Sequence, residues 1–191
     1  MGYARMTKVS FSSQELSLSK VWQWYQRTDK ALDDYQTEVI NAVTSGASLP
    51  DFFGMAKDEI IEEFAWHKDE LDRLVSLNLI ASAEASLRID YFTRVYEKKK
   101  DIVSREFRLL YKQKGTRAAL DDDLLRIWKQ LHPNCKPAIG DFIGALNLRH
   151  WLAHGRYWTP KFGRAYNPKE IFEIAENLFN VLPDDFSWAI N

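Results

Sequence analysis

Residues 55–114 read MAKDEIIEEFAWHKDELDRLVSLNLIASAEASLRIDYFTRVYEKKKDIVSREFRLLYKQK, without a single proline or glycine. Apolar side chains recur there at spacings of three and four, through Ile60, Phe64, Leu71, Leu74, Val75, Ala81, Ala85, Tyr91, Phe92, Val95, Val103, Phe107 and Leu110. That period places them on one side of a helix and excludes the alternation of a half-buried strand. The stretch is too long for one helix of a globular chain, so breaks are expected near 66–69 and near 98–101.

The same pattern extends outward on both sides. A first helix is expected over 18–43, capped by Ser17 or Ser19, with Val21, Trp24, Tyr25, Leu32, Tyr35, Val39 and Val43 forming its stripe. Ser45-Gly46 and Pro50 mark the turn after it. Further helices are expected over 120–131, opened by Asp121 to Asp123 and closed before Pro133, and over 139–154. A last one, over 168–182, has Asn167 as its cap and Pro168 at its first position. No segment alternates with period two, and no internal repeat or low-complexity tract occurs. The fold class is all-α, with 1–50 as an N-terminal helical extension packing on a main helical domain of 51–191.

The chain has 191 residues, 46% of them hydrophobic and 14% aromatic, enough apolar surface to offset the entropy of ordering one domain. Its formal charge of -1 argues against a general polyanion coat. One cysteine, Cys135, excludes an internal disulfide and fits a reducing compartment. The opening MGYARMTKVSFSSQ has no apolar signal core, and position 6 is Met where a myristoylation motif needs Ser or Thr. Apolar runs fall far short of the ~20 residues that span a bilayer, so a cytoplasmic protein with no membrane partner is expected.

Charge is nevertheless segregated: net -9 over 29–72, net +6 over 98–117 and net +5 over 136–169. These segments read either as solvated helix faces or as a polyanion-attracting second half. In the last, Tyr157, Trp158, Phe162 and Tyr166 surround Arg156, Lys161 and Arg164. Such a mixture suits phosphate contact and base stacking, and equally a loop whose aromatics fold back on the core.

The segment Leu148-Arg149-His150-Trp151-Leu152-Ala153-His154-Gly155-Arg156 concentrates the chemistry. His150 and His154 share a helix face, while Arg149 and His154 are about 140° apart around an ideal helix. Histidine exchanges protons near neutrality, and arginine grips phosphate through two donors. The pattern Arg149-x-x-x-x-His154, with polar His150 after the arginine and small Ala153 and Gly155 about the histidine, resembles the Arg-polar-x-x-x-His signature of HEPN domains. Residues 83–92, AEASLRIDYF, resemble the family's internal helix beside the motif helix, and the likeness covers about 56–182. HEPN domains more often carry Asn or Asp after the arginine, so His150 departs from the pattern.

The resemblance implies a HEPN-like helical bundle and a metal-independent endoribonuclease without a cofactor, commonly a toxin or a defence protein against phage. RNA would be the substrate, two copies would form a homodimer with a composite cleft, and an antitoxin or another defence-system protein could be a partner. Arg149 and His154 would be catalytic, assisted by His150, and Arg156, Lys161, Arg164, Tyr157 and Trp158 would contact substrate. Glu84 and Arg88, four apart, would either orient the motif or pair with each other.

Two other readings stay open. His132, Cys135, His150 and His154 have spacing close to a tetrahedral zinc set, which would withdraw His154 from proton transfer. Alternatively the chain is a non-catalytic interaction or nucleotide-binding module, displaying Trp22, Trp24, Trp66, Trp158 or Trp188 beside its acidic first half.

Overall fold

The computed structural model describes residues 8–183, and these are all-helical, with six α-helices and no strand. Trp188 lies outside the described residues. Helix α1 spans Leu18–Thr44, with Ser17 Oγ accepting from the Lys20 amide at its start. A short 3-10 turn, Pro50–Phe52, leads into α2, Lys57–Tyr96. Helix α3 covers Ile102–Lys114, and a π-helical turn, Leu120–Leu125, continues into α4, Arg126–Leu131. Helix α5 runs Lys136–Ala153 and α6 runs Pro168–Val181, where the Asn167 side chain caps the Glu170 amide as its sequence position predicts.

The break expected near 66–69 does not occur: α2 is unbroken for 40 residues, about 60 Å. Its first half has α1 alongside, so the helix needs no turn to cover its apolar side. Lys68 Nζ reaches Asp29 at 3.2 Å and Asp33 at 2.7 Å, and Tyr25 Oη donates to Asp72 at 2.8 Å. The break expected near 98–101 is real. Buried Arg94 donates Nε to both Asp90 oxygens and Nη1 to Asp101, whose carboxylate also caps the Ser104 amide that starts α3. One carboxylate thereby ends one helix and begins the next.

Two apolar cores lie along α2. The larger gathers Leu18 and Val21 of α1, Val75, Leu79, Ile80, Ala83 and Leu87 of α2, Phe107, Trp128, Phe142 and Leu178. Each fully buried large side chain there contributes about 1.5–3 kcal/mol. The smaller core holds Val39, Phe52, Ile60 and Phe64, with Phe52 stacked on Phe64 at 5.9 Å. The α1 stripe is narrower than its spacing suggests: Trp24 and Tyr35 are about half exposed, although the Tyr35 ring meets Phe64 edge-on at 5.4 Å. No helix among the described residues is long and apolar enough to cross a membrane.

Candidate active site

Helix α5 ends where the motif does, for a local reason. Gly155 has φ +77°, its amide donates to Leu152 O, and the Arg156 amide donates to Trp151 O. This pair of bonds is a Schellman cap, which turns the chain out of the helix through a left-handed residue that glycine adopts without a Cβ penalty. Arg156 follows, itself left-handed at φ +59°, and its guanidinium reaches Glu70 on α2 at 2.6 Å. Its Glu70 partner also pairs with Arg73, and these bonds hold the Glu70 carboxyl below its ordinary range despite partial burial. The cap leaves His154 exposed at the helix end, its ring centroid 4.4 Å from that of His150.

Arg149 points from α5 toward α2, with Nε 3.6 Å from Glu84 Oε2. Glu84 Oε1 in turn accepts from Arg88 Nε at 3.0 Å, and Arg88 donates to the Ala118 carbonyl. Glu84 thus pairs with Arg88, as their spacing suggests, and also lies beside the motif arginine. The Arg149 Nε is buried with no hydrogen-bond acceptor, so the ion pair holds the guanidinium at longer range.

These side chains line an open groove of about 480 Å³, bounded on α5 by Ile143, Leu146, Asn147, Arg149 and His150 and opposite by Glu84, Arg88 and residues 119–121. His150 belongs both to the groove and to the histidine pair, which links Arg149 to His154. Asp121, Ile143, Leu146 and Asn147 are not among the site residues the sequence suggests. The α5 wall did have a signal, because Ile143, Leu146, Asn147 and His150 follow the spacing of one helix face. With Glu84 and Asp121 facing Arg88 and Arg149, the groove is close to charge-balanced.

The aromatic loop folds back on α5. Trp151 Nε1 donates to Trp158 O at 2.8 Å, Phe162 meets Trp151 edge-on, and Tyr166 Oη sits where a Cβ on Gly144 would lie only 2.5 Å away. Gly144 is therefore required for this close approach. Trp158 is half-buried, 5.9 Å from the His150 ring, whereas Tyr157 is 82% exposed and Lys161 is also exposed. Arg164 lies 3.7 Å from Asp141 and over the Tyr166 ring. Of the five expected substrate contacts, Arg156 and Arg164 are already paired with carboxylates.

The zinc arrangement is not assembled. His132 packs against Trp128, and buried Cys135, its thiol pushed up by desolvation, donates to Val181 O at 3.1 Å. Both precede α5, whose 18 residues span about 27 Å to the histidine pair at its far end. Among the described residues no group of three or more His, Cys, Asp or Glu could hold a metal ion.

Comparison of the chain with protein-family models, curated proteins and solved structures finds no match.

Proposed function

We propose that the chain is a metal-independent endoribonuclease acting through the α5 motif. The observation that carries this reading is a guanidinium, Arg149, held over an open groove by Glu84, beside a histidine pair, His150 and His154, at the exposed end of the same helix. A 2'-hydroxyl beside the scissile phosphate attacks phosphorus while His154 accepts its proton. The bond from phosphorus to the 5'-oxygen breaks, and the leaving oxygen takes a proton delivered through His150 or water. Arg149 meets the charge on the non-bridging oxygens, where fixed cations contribute most. Products are a 2',3'-cyclic phosphate and a 5'-hydroxyl, and DNA, lacking the 2'-hydroxyl, is not cut. Following the HEPN resemblance, the reading includes a cytoplasmic toxin or antiviral role, motif helices from two copies lining one cleft, and restraint by an antitoxin or other defence protein.

A second reading, a non-catalytic interaction or nucleotide-binding module, draws on the charge-balanced groove and the carboxylate pairing of Arg156 and Arg164. End-labelled RNA in excess EDTA separates the two. Cleavage by the wild type, leaving cyclic phosphate ends and falling by about 10²–10⁴-fold in Arg149→Ala or His154→Ala, supports the ribonuclease. Intact RNA with the folded wild type, together with a hetero-complex indifferent to those substitutions, supports the module.

A further inference from the structure

The first half of α2 leaves one face uncovered. Asp58, Ile61, Glu62, Ala65, Trp66 and Asp69 follow helical spacing there and are all exposed, Trp66 at 59%. A large aromatic flanked by carboxylates is an unusual surface to leave in water, and tryptophan is the residue type most enriched in binding hot spots. At the other end of the molecule the outer face of α3 has the same periodicity and the opposite charge. Ile102, Arg105, Leu109 and Lys112 recur at three, four and three, with Ile102 57% and Leu109 50% exposed. Arg105 is steadied by its Nε donating to Lys100 O and keeps its charge outward.

We propose that the exposed α2 face docks on the α3 face of a second copy of this chain. Charge selects that occupant. The segment 29–72 is net -9 and the segment 98–117 net +6, and two of the three lysines in the former, Lys30 and Lys68, are already held by Asp34 and by Asp29 and Asp33. The two faces lie toward opposite ends of the 40-residue α2 and the helix that follows it. Two copies with their α2 helices antiparallel make the contact twice about one two-fold axis, and the assembly closes. One helix face, about 17 Å long and about 10 Å across, covers far less than the roughly 800 Å² per partner of a standard stable interface. The reciprocal pair doubles that area and gives a weak, salt-sensitive dimer. This contact is separate from the motif cleft: a dimer indifferent to the charge reversals fails this proposal and leaves the ribonuclease reading untouched, whereas a wild type monomeric under all conditions also counts against the composite cleft.

The test is sedimentation equilibrium of the full chain up to about 100 µM, in about 50 mM and about 1 M salt, where screening shortens to about 3 Å. A dimer at low salt that dissociates at high salt is expected. Asp58→Lys/Glu62→Lys and Arg105→Glu/Lys112→Glu should each weaken it by about tenfold or more, and an equimolar mixture of the two variants should re-form both attractive contacts in a mixed dimer. The chain carrying all four reversals should recover the wild-type affinity. Trp66→Ala, which keeps every charge, should weaken the dimer by a similar factor. Circular dichroism confirms folding of each variant. A wild type monomeric under all conditions, or a dimer indifferent to either reversal, overturns the proposal, as does failure of the fourfold reversal to restore association.

Discussion

The two apolar cores along α2 differ in what surrounds them. The larger draws on all six helices and encloses a charge network, with Arg94 and Asp90 both 0% exposed and the Arg94 guanidinium 5.1 Å from the centre of the Trp128 ring. The smaller is covered by α1, one 3-10 turn and the residues leading into α2, and its buried members are all apolar. A core enclosed on every side loses its contacts together, whereas one supported by a single neighbouring helix can open alone. The same continuous helix therefore belongs to two regions with different stability.

The sharpest way to break that difference is Arg94→Ala. It leaves the Asp90 carboxylate buried without its guanidinium and should cost about 3–5 kcal/mol, lowering the urea midpoint of the whole molecule. Phe64→Ala should cost about 3 kcal/mol at its own site. Hydrogen exchange should accelerate over 35–65 and leave amides near Phe107 and Phe142 protected, and uniform acceleration would show one cooperative unit instead. The helix caps make a finer comparison. Ser17→Ala and Asn167→Ala each remove a side-chain acceptor from a helix start and should cost about 1 kcal/mol, read as a midpoint shift.

The smallest effect separates the regions by pH. Lys114, hydrogen-bonded to Asp123, holds that carboxyl below its ordinary value, with burial opposing. Burial pushes Asp101 upward, but its bonds from Ser104 and the charge of Arg94 outweigh this and leave it lowered. Both carboxyls thus stabilise the fold above the unfolded value of about 3.9 and lose that contribution as pH falls through their lower folded values. Both sit in the larger region, so Asp123→Asn should flatten the loss of midpoint below pH about 4.

The starts of α1 and α6 were legible because Ser17 and Asn167 each announce a local hydrogen bond, although the caps that Glu59 and Asp101 supply to α2 and α3 were not foreseen. The continuity of α2 was not legible, because α1 packs alongside and its Asp29 and Asp33 hold Lys68, and sequence spacing contains no record of that partner. At the site, Arg149, His150 and His154 were legible because one helix carries all three, and Glu84 because its spacing from Arg88 drew attention to it. The opposite wall depends on where the π-helical turn sets Asp121, and the capture of Arg156 by Glu70 joins residues 86 positions apart. Neither contact leaves a periodic trace. The loop aromatics were ambiguous for a related reason, since only the clearance at Gly144 decides that Tyr166 turns inward.

Cys135 offers a last consequence, in time rather than in energy. Its thiol is 0% exposed, engaged with the Val181 carbonyl and disfavoured as a thiolate by burial. A thiol reagent can reach it only when α6 lifts from the start of α5, so the rate of modification measures how often that event happens. With no other cysteine in the chain, the reading comes from one atom. The molecule thus records the opening frequency of its larger core chemically, with no label to introduce.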